Sequence, residues 1–187
     1  GNAKLCGNYG PTIRPQMESL LERGCAQVLW LFGEDHLATE VGTSNVFFVI
    51  DDKSTGVPEL VTPPLDRGDI LPGITRKSIL ELASGSGWGE GYENLTVSER
   101  DVSMKEIADA AAEGRLKEAF GAGTAAIVTP IACINYKGDD IQFPTGEGAG
   151  PITQRVFNDM MDIQFGRVDC PWSYKVGGGS EAMAASA

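Results

Sequence analysis

The chain has 187 residues, of which 42% are hydrophobic and 22% are charged, and its formal net charge is -11. This length and composition are typical of a globular protein with one good-sized core or at most two small ones. The acidic charge excludes nucleic acid and anionic membranes as main partners, because no basic stripe offsets it. No run of about 18 apolar residues predicts a transmembrane helix.

Cysteine and histidine usage points to a reduced compartment. The four cysteines form no CxxC pair, and the chain has a single histidine, so little material exists for a zinc site and no metal is predicted. Scattered thiols in a chain of this size are typical of reduced intracellular proteins. A soluble intracellular protein is therefore expected.

The first third of the chain predicts one helix and a group of strands. The helical pattern of residues 11–24 ends at Gly24, a typical stop signal. An apolar run at 25–32 predicts a buried strand. Further strands are predicted at residues 37–41, 45–50 and 59–62, the last ended by Pro63 and Pro64.

The remainder alternates helices and strands without a regular βα repeat. Helices are predicted at 73–83, from a Ser103–Glu106 capping box onward, and at 151–165, where Pro151 suits the first turn. A turn is predicted at 121–125, and short strands at 95–97, 127–131, 134–136 and 141–143. This mixture predicts an α+β or mixed α/β domain.

Two stretches combine polar groups with a turn. Residues 39–45 (TEVGTSN) place Glu40 at a strand end and follow it with a Gly42-Thr43 turn, whose N–H groups would be exposed. Residues 71–76 (LPGITR) place a Pro-Gly turn before a helix, whose first N–H groups lack intrahelical partners and suit a phosphate. Taken alone, each stretch is better explained as an ordinary turn or helix start.

A third and a fourth stretch complete the set. Residues 120–126 (FGAGTAA) contain two glycines that permit close backbone approach and a threonine hydroxyl, but a strand run follows them, so no Rossmann domain is predicted. Residues 4–11 (KLCGNYGP) add the amine of Lys4. An amine, a carboxylate and two backbone anion sites together suit a phosphorylated aldehyde cofactor.

In this order, the four stretches resemble the large domain of a class IV pyridoxal-phosphate aminotransferase, most closely the branched-chain amino acid aminotransferases. The resemblance covers residues 3–172 and includes QVLWL, ELVTPPL and DIQFG. It implies the α/β fold of fold-type IV enzymes, in which β-sheets form a pseudo-barrel surrounded by helices. Residues 1–172 would be the cofactor-binding domain and 173–187 a flexible tail, with the family's smaller N-terminal domain absent.

The resemblance assigns roles around the cofactor ring. Lys4 matches the lysine that forms a Schiff base with pyridoxal 5′-phosphate. Tyr9 matches the tyrosine that hydrogen-bonds the phenolic oxygen of the cofactor, and Glu40 matches the acid that pairs with its pyridinium nitrogen. Leu71 matches the residue packed against the ring.

It also assigns roles to groups at either end of the cofactor. Ile74 and Thr75 match the backbone donors to the phosphate, and Thr124 matches the hydroxyl that joins them. Thr43 and Ala125 match the groups near the substrate carboxylate.

The implied activity is transfer of the amino group of leucine, isoleucine or valine to 2-oxoglutarate. Lys4 would move the substrate's Cα proton, while Glu40 keeps the ring nitrogen protonated. Two alternatives stay open. One is a D-amino acid aminotransferase or aminodeoxychorismate lyase of the same fold. The other is a non-catalytic half that needs its missing N-terminal domain.

The chain departs from the family in two respects. Some members carry a CxxC redox pair where this chain has Ala126 and Thr129, so that form of thiol regulation is not expected. The family's phosphate-binding arginine belongs to the absent domain, and Arg14 and Arg76 are poor substitutes by position. The resemblance implies a homodimer, and the compartment, whether mitochondrial, plastid or cytoplasmic, stays open.

Overall fold

Helices and strands alternate irregularly in the computed structural model, which describes residues 1–87 and 89–174. Most of the predicted tail, residues 175–187, lies outside the described residues. The helices described are α1 (Cys6–Tyr9), α2 (Ile13–Arg23), α3 (Ile74–Ser84), α4 (Met104–Ala112) and α5 (Pro151–Gln164), with a 3-10 turn at Gly10–Thr12. The strands described are β1 (Leu29–Phe32), β2 (Leu37–Val41), β3 (Ser44–Asp51), β4 (Pro58–Thr62), β5 (Thr96–Glu99), β6 (Leu116–Gly123), β7 (Ile127–Pro130), β8 (Cys133–Tyr136) and β9 (Asp139–Gln142).

Strand β3 is the centre of the large sheet. One of its edges pairs with β2 at its beginning and with β4 at its end, and the other edge pairs with β6 along most of its length. Strand β1 extends the sheet beside β2, β5 lies parallel to β4, and β7 pairs with β6. Strands β8 and β9 form a separate hairpin. The mixed α/β prediction is confirmed.

Both faces of β3 are buried. Successive side chains of a strand point to opposite faces, so Phe47 and Val49 belong to one hydrophobic cluster, and Val46, Phe48 and Ile50 belong to the other. Helices α3 and α5 contribute to the first cluster, and α4 and the β8–β9 hairpin contribute to the second. Burial on both faces accounts for the nearly continuous apolar sequence of β3.

Side-chain oxygens cap the starts of α4 and α5. The Ser103 Oγ accepts a hydrogen bond from the Glu106 N–H at 3.1 Å, as predicted, but the Glu106 carboxylate binds Arg100, so only half of the capping box forms. At α5, the buried carboxylate of Glu118 accepts hydrogen bonds from the N–H and the hydroxyl of Thr153 at 2.8 and 2.6 Å. Strand β6 therefore caps α5 with a charged side chain.

The N-terminal segment, residues 1–24, lies on the surface. Helices α1 and α2 and the 3-10 turn contain no buried residue. Helix α2 ends as predicted at Gly24, whose φ of 70° is left-handed. Apolar side chains of this segment are exposed: Leu5, Ile13, Met17, Leu20 and Leu21.

Two sequence predictions are wrong. Residues 121–123 belong to β6 rather than to a turn, and the turn occupies 124–126. The two glycines predict a turn because glycine is uncommon inside strands. Here they allow β6 to pack closely against its neighbours. The run 25–32 is a strand only from Leu29, and Phe32 is half exposed, because β1 pairs with a single neighbour at the sheet edge.

Within the described part of the chain, every helix is too short or too polar to cross a lipid bilayer.

Candidate functional site

Glu40 lies near the end of β2 and is half-buried. Its Oε1 accepts a hydrogen bond from the Leu71 N–H at 3.1 Å. Burial raises the pKa of the Glu40 carboxyl, and the nearby carboxylate of Asp69 raises it further, whereas the Leu71 N–H and the amino group of Gly1 oppose the shift. The structure thus brings two predicted residues, Glu40 and Leu71, into direct contact.

A cleft of about 290 Å³ opens beside Glu40. Tyr9 lines it, together with Trp30, Thr39 and Asp69. The pKa of the Tyr9 hydroxyl is raised, first by burial and second by the negative charge of Glu40. The cleft therefore collects a carboxylate and a phenol from distant parts of the chain. Among the described residues, one carboxylate oxygen of Asp69 is buried without a hydrogen-bond partner.

Two turns meet at the edge of the sheet next to Glu40. The β2–β3 turn carries Thr43, and the β6–β7 turn carries Thr124 and Ala125; all three residues are exposed. The pairing of β3 with β6 brings the two turns together. They are so close that a Cβ on Gly123 would lie only 3.1 Å from the Ser44 Oγ. The structure thus places all three predicted residues at one edge.

The glycines of β6 have a definite packing role. A Cβ on Gly121 would lie 3.0 Å from a methyl carbon of Val41, tighter than most real Cβ contacts. These glycines were expected to let the backbone approach a ligand, and in the structure they let β6 approach the end of β2 and the start of β3.

Helix α3 begins just after Leu71, the residue that contacts Glu40. Its N-cap residue is Gly73, which offers no side chain to cap the first turn, and the first turn contains no acidic residue. Ile74 is 76% exposed, whereas Thr75 is buried. An uncapped helix start carries partial positive charge and unpaired N–H groups, which together form an anion site.

Asn45 is a residue of this site that the sequence analysis missed. It is buried on β3, and its backbone pairs with Glu40 on one side and Ala122 on the other. Its side-chain amide donates to the Leu71 carbonyl at 2.9 Å and to the Glu40 Oε1 at 3.4 Å. The available signal was an amide at the head of an otherwise apolar strand, a position where a polar side chain needs partners.

Lys4 is placed differently from the other predicted residues. Its side chain is exposed, and it is not among the residues that line the Glu40 cleft in the described part of the chain. Its neighbour Ala3 accepts a hydrogen bond from the Asn8 amide at 2.7 Å. The N-terminal segment reaches the cleft through Gly1, Asn8, Tyr9 and Thr12.

The arginines considered as phosphate ligands are engaged elsewhere. Arg76 is buried and binds the Glu99 carboxylate at 2.5 Å and the Pro63 carbonyl at 2.9 Å. Arg14 is exposed and pairs with Glu18 at 2.7 Å. Across residues 1–87 and 89–174, no group of three or more His, Cys, Asp or Glu side chains could hold a metal ion.

Comparison with known proteins gives a consistent result. Residues 5–134 match the model of the family described as amino-transferase class IV. The chain is 49% identical over 174 residues to a branched-chain-amino-acid aminotransferase of Monosiga brevicollis, with 92% of this chain aligned. It is 48% identical over 176 residues to the mitochondrial branched-chain-amino-acid aminotransferase of Schizosaccharomyces pombe.

The solved structures agree in fold. The chain superposes on the branched-chain amino acid aminotransferase from Escherichia coli with a TM-score of 0.67 and 28% sequence identity, covering 92% of this chain and 50% of the other. The chain spans less than half the length of these relatives. It covers 42% of the Monosiga protein and 40% of the Schizosaccharomyces protein, and 92% of its own residues align with the latter.

Proposed function

The chain belongs to the class IV aminotransferase family, and from that premise we propose that the protein transfers the amino group of leucine, isoleucine or valine to 2-oxoglutarate, with pyridoxal 5′-phosphate as cofactor. The substrate class rests on the names of the relatives, which at 48 and 49% identity are branched-chain-amino-acid aminotransferases. We further propose that residues 1–172 act as the cofactor-binding domain and that the protein works as a homodimer.

The position of Glu40 is the observation that carries the proposal. This carboxylate is half-buried beside a cleft, with Tyr9 in the same cleft and Leu71 in contact with it. Burial that raises the pKa of an acid also strengthens its attraction to a cation placed against it. Glu40 therefore suits a pyridinium N–H, and Tyr9 suits a phenolic oxygen on the same ring.

The start of α3 fits the phosphate. Its first turn has no capping side chain and no acidic residue, so its N–H groups are suited to an anion. We assign the backbone N–H groups of Ile74 and Thr75 to this role, with the hydroxyl of Thr124 as a third donor. Arg76 is held by Glu99 and is not assigned to the phosphate.

When bound, pyridoxal phosphate supplies an aldehyde and an electron-accepting ring. Glu40 would hold the proton on the ring nitrogen and so maintain the electron demand of the ring. Lys4 would hold the cofactor at its aldehyde and, once the substrate amine has displaced it, its free amine would move the proton at the substrate Cα. The turns that carry Thr43 and Ala125 orient the substrate carboxylate.

The role of Lys4 is tested by absorbance. Wild-type protein mixed with pyridoxal 5′-phosphate is expected to show the visible band of a lysine imine, and Lys4→Ala is expected to lose it. Activity should fall by at least about 10²-fold in the variant, since a missing proton-transfer group commonly costs that much. A matched control is Lys137→Ala on the β8–β9 turn, which should keep the band. Survival of the band in Lys4→Ala would show that another amine binds the cofactor.

Substrate choice is tested separately with a panel of amino donors. Turnover of L-leucine, L-isoleucine and L-valine with 2-oxoglutarate is expected. Turnover of D-alanine without L-leucine, or pyruvate release from aminodeoxychorismate, would transfer the assignment to another member of the same fold.

A further inference from the structure

The amide of Asn45 joins two parts of the site that are otherwise separate. Glu40 lies on β2, whereas Leu71 and Gly73 belong to the loop that leads into α3. The Asn45 Nδ2 lies 2.9 Å from the Leu71 carbonyl oxygen and 3.4 Å from the Glu40 Oε1. Both partners are acceptors, and their positions fix the orientation of the amide, with the nitrogen toward them.

The other end of the same amide faces the start of α3. A Cβ on Gly73 would lie 2.2 Å from the Asn45 Oδ1, a distance that no real contact allows. A side chain at this N-cap would therefore displace the amide from its present position. Asn45 thus contacts the residue immediately before the N–H groups proposed for the phosphate.

Burial and pairing make Asn45 a rigid support. The residue is 5% exposed, and its backbone is held on both sides, by Glu40 on β2 and by Ala122 on β6. The backbone of Leu71 is held at both of its polar groups, since its N–H donates to Glu40 and its carbonyl accepts from Asn45. The three residues form a closed set of hydrogen bonds.

We propose that Asn45 is a positioning residue, which fixes the distance between the Glu40 carboxylate and the start of α3. One ligand can then bind Glu40 through its ring nitrogen and the start of α3 through its phosphate. This inference rests on the proposed function for the identity of the ligand. The link between Glu40, Asn45 and the α3 loop is a property of the chain itself and is testable without cofactor.

The first test measures the titration of Glu40 in cofactor-free protein by carbon NMR of its carboxyl group. Asn45→Asp keeps the size of the side chain but replaces the donor with a like charge, so the Glu40 midpoint should move to higher pH. Asn45→Ala removes the donor alone and should move the midpoint in the same direction by less. Asn158→Asp, an exposed residue on α5, is the charge-matched control and should leave it unchanged.

The Ala variant separates positioning from packing, because the charge of the Asp variant would raise the Glu40 midpoint whatever the role of Asn45. If Asn45 only filled space, its truncation would let water in and would not raise the midpoint. A Glu40 midpoint in Asn45→Ala that is unchanged or lower would overturn the proposal. Gly73→Ala is a second variant that leaves the amide in the chain but displaces it. It should shift the midpoint as well, and an unchanged midpoint there would also overturn the proposal.

The second test measures cofactor affinity by titration of the visible absorbance. Asn45→Ala should weaken pyridoxal 5′-phosphate binding about tenfold, which corresponds to the loss of roughly one hydrogen bond. In a Glu40→Ala background the same substitution should cost much less, because a positioning residue acts through its partner. Fully additive losses would overturn the proposal. Wild-type protein that binds no pyridoxal 5′-phosphate would defeat the proposed function, and the NMR test would still decide the role of Asn45.

Discussion

The β3 region, meaning β3 and the strands paired with it, and the N-terminal segment hold the two parts of the proposed site with very different amounts of packing. Strand β3 is buried on both faces and paired on both edges, and it holds Asn45 beside Glu40. The segment of residues 1–24 carries Lys4 and Tyr9 but has no buried residue in its helices. The acid of the site is therefore placed by the core, whereas the amine is carried by a surface segment with little packing of its own.

The difference in packing predicts different effects of substitutions on stability and on activity. Substitutions in the β3 region should reduce the free energy of unfolding, and those in the N-terminal segment should leave it nearly unchanged even where they abolish activity. The Lys4→Ala variant above belongs to the second kind.

Phe47→Ala should have the largest effect. Phe47 is fully buried and stacks on Phe120 with ring centroids 5.0 Å apart, so truncation leaves a cavity in the hydrophobic cluster that α3 and α5 cover. A loss of about 3–5 kcal/mol in the free energy of unfolding is expected from urea denaturation. Ile13→Ala, at an exposed position on α2, is the control and should change it by less than about 0.5 kcal/mol. Similar losses in the two variants would remove the distinction between the regions.

Glu118→Ala and Glu18→Ala compare a buried carboxylate with an exposed one. Glu118 is buried on β6 and caps the first turn of α5, so its removal leaves buried N–H groups unpaired. Urea denaturation should show a loss of about 1.5–3 kcal/mol, the range for charge-assisted hydrogen bonds. Glu18 pairs with Arg14 on the surface of α2, and its removal should cost less than about 0.5 kcal/mol.

If Glu118→Ala proved as mild as Glu18→Ala, water would have to replace the carboxylate at the start of α5. Gly150→Ala offers an independent check, since a Cβ there would lie 2.2 Å from the Glu118 carboxyl carbon. It should also destabilise the protein.

Glu40→Gln should have the smallest effect, and its signature is the dependence on pH. Burial holds the pKa of Glu40 above its ordinary value, so the folded chain binds this proton more tightly than the unfolded chain does. Ionised Glu40 therefore lowers the free energy of unfolding. This penalty is absent below the unfolded pKa and grows as pH rises through the folded pKa. In cofactor-free protein, the variant should gain stability relative to wild type as pH rises.

Glu59→Gln provides a control of opposite sign. Hydrogen bonds from Arg100 hold the pKa of Glu59 below its ordinary value. Its contribution to stability is thus present above the unfolded pKa and is lost as pH falls through the folded pKa. Relative to wild type, this variant should lose stability as pH rises. Thermal unfolding across a pH series would show the two trends, and parallel trends would contradict the burial of Glu40.

Much of the fold was predictable because its signals are local. The apolar run of β3 and the glycine at the end of α2 depend on neighbours within a few residues, and the structure confirms them. The start of α4 at Ser103 follows from its capping hydrogen bond. Strand β6 was not predictable in the same way, because its glycines are favoured by contacts with Val41 and Ser44, which lie far away in sequence.

The same division holds for the candidate site. The residue types of the site were visible in the sequence, since Glu40, the Thr43 turn and the LPGITR helix start each form a short motif. Which of them touch was decided by strand register and by a loop that returns to β3. Asn45 shows this most clearly: its identity is local, but its function as a link between Glu40 and Leu71 exists only when β2, β3 and the α3 loop are assembled. Hydrogen bonds between distant residues depend on tertiary geometry, and a linear pattern does not encode that geometry directly.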